Sequence, residues 1–254
     1  MTHLDDPALA AWLAEHAGDT LLELREESGF DDPAALKATG DKQSHDLLLT
    51  ELRQARPGDA VLSEEGARQD PARFTADRVW IVDPLDGTRE FSEAGRDDWA
   101  VHVALWERTS DVGELTAGAV AMPARGLVLR TDNPPMRPAD REGQIRLACS
   151  RTRPPSFLAD LADRLDACLV PMGSAGVKAC AVITGEVDAY VHGGGQYEWD
   201  SAAPVAIARA VGLHTSRVDG SPLLYNREDP LLPDLLVCRP ALAGRLLAAL
   251  RDLI

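Results

Sequence analysis

The sequence predicts an α/β protein whose helices pack in layers against β-sheet. Three observations carry this. Short apolar runs rich in β-branched residues alternate with segments of helical period along the whole chain. The run Val79-Trp80-Ile81-Val82 reads as a strand buried on both faces, which needs cover above and below. A polar stretch over 132–143, with three prolines, separates two halves of similar make-up. Residues 1–131 and 144–254 are therefore expected to form an N-terminal and a C-terminal half of one compact functional unit.

The elements follow in order. Leu9, Trp12, Leu13, Leu21 and Leu24 recur with helical period, predicting a first helix over 7–27. A glycine-containing loop comes next, and a second helix is expected over 44–55 on Leu47, Leu48, Leu49 and Leu52. Asp41 would stand just before that helix, as a cap or as a functional carboxylate. Ala60-Val61-Leu62 is a short strand ending in Ser63-Glu64-Glu65. Strands are also expected over 99–106, 118–123, 126–129, 145–149, 168–171 and 187–192, with a flexible loop at Gly193-Gly194-Gly195. Helices are expected over 157–167, from Ser174 to Thr184, over 200–211, and from Pro240 to Leu250.

Composition narrows the function. At 45% hydrophobic and 26% charged residues, the 254-residue chain has the make-up of an ordinary globular protein. A net charge of −15 speaks against nucleic acid held on a basic face. A small phosphorylated ligand is still open to it, because carboxylate-bound cations reverse the local sign. The acidic start, Met1 to Asp6, lacks the pattern of a signal peptide, and no apolar run is long enough to span a bilayer. Cys149, Cys168, Cys180 and Cys238 show no Cys-x-x-Cys spacing, as expected of buried, reduced thiols in a cytoplasmic protein.

The chemistry concentrates where the Val79–Val82 strand ends, in Asp83-Pro84-Leu85-Asp86-Gly87-Thr88. Pro84 fixes φ and should stop strand pairing, and Gly87 permits a sharp turn. Two carboxylates are thus presented at one bend. On these residues alone the turn is either solvated or the seat of a hard cation such as Mg²⁺. Thr88 falls where the next segment begins, as a cap or as a hydroxyl aimed at water or phosphate. If the strand before Glu64 runs parallel to the one before Asp83, Glu64, Asp83 and Asp86 converge on one crevice. Asp200 opens a helix of small residues that must pack tightly, so a buried aspartate there calls for a cation. Gly173-Ser174, with Lys178 one turn on, makes an anion-friendly helix start. Arg151 and Arg153, leaving the strand at 145–149, are either surface residues or phosphate forks.

Taken together, Asp-Pro-Leu-Asp-Gly-Thr (83–88), Ser-Glu-Glu (63–65) and Trp-Asp-Ser-Ala-Ala-Pro (199–204) resemble the three signatures of the inositol monophosphatase superfamily. The likeness is strongest to its CysQ-type 3′(2′),5′-bisphosphate nucleotidases, through Arg-Glu-Phe (89–91), Ser-Arg-Thr-Arg (150–153) and Gly-Ser-x-x-x-Lys (173–178). Arg153 stands where those relatives often carry histidine. The resemblance implies a layered α-β-α-β-α sandwich shared with fructose-1,6-bisphosphatase and a lithium-sensitive, Mg²⁺-dependent phosphatase. It implies a first Mg²⁺ on Glu64, Asp83 and the Leu85 carbonyl, and a second on Asp83, Asp86 and Asp200. It allows a third, weaker one near Glu64, with Glu65 behind this set. Asp41 and Thr88 are implied as the pair that takes a proton from water, with the Gly87 and Thr88 amides on phosphoryl oxygens. Arg153, Ser174 and Lys178 are implied at the rest of a nucleotide. The expected reaction is 3′-phosphoadenosine 5′-phosphate to AMP, with 3′-phosphoadenylyl sulfate as a further substrate, in sulfur assimilation. An inositol monophosphatase or fructose bisphosphatase is the alternative on the same scaffold, and a non-enzymatic cation-binding module the alternative outside it. Relatives are often homodimers.

Overall fold

The computed structural model describes residues 3–66, 71–109 and 112–254; Met1 and Thr2 of the acidic start lie outside them. The first half comprises α1 (Asp6–Ser28), α2 (Pro33–Ala55), β1 (Ala60–Ser63), β2 (Arg78–Asp86), α3 (Thr88–Phe91), β3 (Ala100–Glu107), β4 (Glu114–Met122) and β5 (Leu127–Arg130). After an irregular stretch come β6 (Ile145–Ser150), α4 (Leu158–Leu165), β7 (Ala167–Met172), α5 (Ala175–Ile183) and β8 (Ala189–Tyr197). The chain closes with α6 (Glu198–Val211), β9 (His214–Ser216), β10 (Leu231–Cys238) and α7 (Pro240–Arg251).

These strands form two five-stranded sheets, in the orders β1-β2-β3-β4-β5 and β7-β6-β8-β10-β9. The alternation along β2 explains the layering, since successive side chains leave a strand on opposite faces. Trp80 and Val82 pack outward under Leu9, Leu13, Leu21 and Leu48 of α1 and α2. Val79 and Ile81 pack inward with Val177 and Val182 of α5 and Ala203 and Ile207 of α6. On the far face of the second sheet, Leu147, Val191 and Leu236 meet Leu158 and Leu161 of α4 and Leu242 and Leu246 of α7. The result is the α-β-α-β-α sandwich. The small residues of α6 are explained by proximity: a Cβ on Gly118 of β4 would lie 2.8 Å from Ala206 Cβ.

Four expectations need correction. The loop expected before residue 44 is helical: Asp32 caps α2 by accepting from the Ala35 amide at 3.0 Å, and Pro33 opens it. Asp41 is therefore inside α2 and is no cap. Pro84 interrupts the β2–β3 ladder without ending it, because Asp83 pairs with His102 and pairing resumes at Asp86 with Ala100. The three glycines at 193–195 are not a loop; β8 runs through them as a bulge. Cys168 is only partly buried, although all four cysteines are free. Strands β9 and β10 carried no expectation.

Candidate active site

Strand β1 runs parallel to β2, with Ser63 opposite Val82, so Glu64 leaves its strand beside Asp83. In the bulge that follows, Pro84 and Leu85 face the single residue Val101. This extra residue kinks the strand end and re-aims its side chains. Ser44 of α2 donates to the Pro84 carbonyl at 2.6 Å, the Leu85 amide donates to Asp83 Oδ1 at 3.0 Å, and Gly87 turns the chain at φ +84°. Asp200 enters from α6, its Oδ2 accepting from the Tyr197 amide at 2.6 Å. Asp83, Asp86 and Asp200 thereby offer carboxylate oxygens that all lie within 4.8 Å of one another. Glu64 stands outside that trio but hydrogen-bonds to Asp83.

The second half fixes Asp86 directly. Its carboxylate accepts from the Ala175 amide at 3.1 Å, the Gly176 amide at 2.6 Å and the Ser174 hydroxyl, all at the start of α5. The anion-friendly helix start read in the sequence is thus filled by the protein's own aspartate. Ser174 also caps α5, accepting from the Val177 amide at 2.9 Å. The Lys178 ammonium bends back onto the Gly173 and Ser174 carbonyls at 3.1 and 2.5 Å, over the ring of Tyr190. Arg151 is held by Glu90 and Glu93 at 2.8 and 2.9 Å. Arg153 stays exposed at the rim of a cleft of about 420 Å³ that is also lined by Asp86, Thr88, Ser174, Lys178 and Asp200.

Concentrating these carboxylates has an electrostatic cost, and their pKa values show it. Burial first, then the charges of Glu64, Asp86 and Asp200, push Asp83 well above the usual carboxylate range. Burial and Asp86 push Asp200 up to about 8. Glu64 is exposed as a residue, yet desolvation of its carboxyl, then Asp86, Asp41 and Glu65, raise it to about 7. An all-oxygen donor set that repels itself in this way fits a hard divalent cation, which supplies the missing positive charge. On α2, Asp41 hydrogen-bonds the Thr88 hydroxyl and is pushed up to about 6 by burial and by Glu65. That hydroxyl also lies 3.2 Å from the Leu85 carbonyl.

One residue of this centre escaped the sequence reading. His102, fully buried on β3, places Nε2 3.3 Å from Asp86 Oδ2 and Nδ1 3.1 Å from the Trp199 carbonyl. It packs against one carboxylate and bonds the residue before another. Its only signal was a lone histidine in an apolar strand, which core packing explains equally well.

A layered sandwich that brings acidic side chains together from three separate segments is the architecture of a metal-dependent phosphatase. The chain belongs to the inositol monophosphatase family, whose profile matches residues 8–254. It is 57% identical over 240 residues to the 3′-phosphoadenosine 5′-phosphate phosphatase of Mycobacterium bovis, covering 93% of this chain and 90% of that one. It is 54% identical over 257 residues to the protein of the same name from Mycobacterium leprae, covering 98% and 94%. The crystal structure of CysQ from Bacteroides thetaiotaomicron superposes with a TM-score of 0.77 at 27% identity, over 94% of this chain and 99% of that one.

Proposed function

We propose that this protein is a Mg²⁺-dependent phosphomonoesterase that removes the 3′-phosphate of 3′-phosphoadenosine 5′-phosphate, leaving AMP. The meeting of Asp83, Asp86 and Asp200 at one point carries the reading, and the names of the Mycobacterium relatives supply the substrate. Glu64, Asp83, the Leu85 carbonyl, Asp86 and Asp200 would hold two Mg²⁺ ions, with a third near Glu64. Bound there, Mg²⁺ supplies positive charge that acidifies water and neutralises phosphoryl oxygens.

The protein's own groups do the rest. The Thr88 hydroxyl, bonded to Asp41, accepts the proton of the attacking water and passes it to the carboxylate. A base at about 6 is ionised at neutral pH and still basic enough to assist. Asp86 is held by three donors of α5, so its position is set before substrate arrives. The Gly87 and Thr88 amides, at the tight turn, face the phosphoryl oxygens. Arg153 takes a charged group at the rim, while Ser174 and Lys178 shape the cleft floor. Because Asp86 is bound by α5, residues 1–131 and 144–254 act as one unit. We extend the reading to 3′-phosphoadenylyl sulfate, to a place in sulfur assimilation, to the cytoplasm, where free thiols persist, and to a homodimer.

Phosphate release from a panel of substrates tests this. The 3′,5′-bisphosphate nucleotide should be turned over far better than inositol 1-phosphate or fructose 1,6-bisphosphate. Equal rates on the three would overturn the assignment.

A further inference from the structure

The bulge in β8 delivers a group that the phosphatase chemistry does not use. Leu232 pairs with Gln196 and Asp234 with Gly193, so Gly194 and Gly195 together face Pro233. Gly194 and Gly195 take φ of +95° and +88°, values at which any other residue is strained. Beyond the bulge, Gln196 reaches the side chain of Tyr190. There its Nε2 donates to the Tyr190 hydroxyl at 2.8 Å, and its Oε1, buried, has no partner among the described residues. Buried acceptors left unpaired are rare and destabilising, and a ligand is one way to satisfy them.

A second such acceptor belongs to a residue lining the same cleft. His192 bonds to the Gly194 carbonyl through its ring, and its buried Nε2 has no partner among the described residues. The ring is neutral, pushed down to about 4 by burial and by the charge of Lys178. With Nδ1 carrying the proton toward Gly194, Nε2 presents a lone pair. Both His192 and Gln196 line the cleft that also holds Asp86 and Asp200.

We propose that Gln196 Oε1 and His192 Nε2 seat the 6-amino group of an adenine, so that the cleft selects adenine over 6-oxopurines. An exocyclic amine brings two N–H donors to two acceptors. A 6-oxo group brings a lone pair against the same two atoms, which then stay unpaired. Phosphate oxygens, which also bring lone pairs, leave the same two atoms unpaired. This deepens the nucleotidase reading and rests on it. A site that hydrogen-bonds its substrate discriminates strongly, because the wrong partner strands its buried polar groups.

The test compares kcat/KM for adenosine 3′,5′-bisphosphate and inosine 3′,5′-bisphosphate in the Mg²⁺-loaded full chain. We expect a preference for adenosine of about 30-fold or more. Gln196→Met should collapse it to within about fivefold, with the change carried by KM. His192→Phe, which leaves the Gln196–Tyr190 bond in place, should narrow it in the same sense, with thermal melting confirming that both variants fold. A wild-type ratio near one, or a ratio unmoved by both variants, overturns the proposal. Calorimetric binding of AMP against IMP separates this from the nucleotidase reading. If neither bisphosphate is hydrolysed, that reading fails, while tighter binding of AMP still supports the adenine seat. Equal binding of the two, or binding of neither, overturns it.

Discussion

The His102 imidazole lies against the bare backbone of Gly176, so close that a Cβ there would fall 1.9 Å from Nε2. The same imidazole reaches Asp86 from β3 while the Gly176 amide reaches it from α5. The glycine therefore makes room for a side chain that packs against the centre.

Gly176→Ala should force the imidazole aside and lose about 1–3 kcal/mol of stability, as overpacked cores do. Because Asp86 moves with it, activity should fall more steeply than stability. Thermal melting and turnover measured on the same sample check this; an unchanged kcat would show that His102 braces nothing.

Asp83 is the carboxylate on which the others converge, and it cannot be replaced by a neutral group without losing charge at the centre. Asp83→Asn should reduce turnover by about 10³-fold or more at saturating Mg²⁺, equivalent to about 4 kcal/mol. Steady-state kinetics across a magnesium titration decide the matter. Near-normal turnover at any magnesium concentration would remove Asp83 from its bridging place.

Asp41 touches Thr88 and lies outside the acidic trio, so its loss should separate chemistry from metal binding. We expect Asp41→Asn to lower kcat by about 10²–10⁴-fold, the range for a lost general base. Calorimetric Mg²⁺ binding should survive. If magnesium affinity falls in parallel with kcat, Asp41 belongs to the ion's own ligands.

The raised carboxylates link stability to pH. Asp200 at about 8 and Glu64 at about 7 hold protons in the folded protein that the unfolded chain releases near 3.8 and 4.5. Where the folded state binds more protons, stability falls as pH rises. With a chelator present, the contribution should be full below pH of about 4 and lost by about 8. Scanning calorimetry should show Tm dropping by about 5–10 °C across that window. Magnesium should restore it at the alkaline end and do little at the acid end. A Tm that climbs with pH in chelator would contradict the buried, self-repelling centre.

Much of this was legible from local chemistry. Asp83, Asp86 and Gly87 sit in a hexapeptide where proline and glycine leave few backbone options, and Asp200 lies in the first turn of a helix too small-sided to be anything but buried. Asp41 is legible through resemblance, whereas its place inside a helix is not. Gly40 and Thr39 argue against helix by propensity, yet Gly40 sits inside α2 because a Cβ there would come within 2.8 Å of Phe91. Tertiary packing overrode propensity. The triple glycine pointed to a loop because strands rarely tolerate it, and only the pairing with β10 shows it to be a bulge. Ser174 and Lys178 stand at a helix start whose affinity for an anion is legible locally, while nothing in the sequence says that Asp86 would occupy it. His102 stayed invisible because its partners are distant in the chain.

Asp86 belongs by covalent chain to the first sheet and by its hydrogen bonds to a helix of the second. A nick within 132–143 would leave two fragments, neither holding a complete set of acidic groups. Mixed together, they would regain catalysis only by finding one another, so recovery should follow second-order kinetics and quicken with concentration.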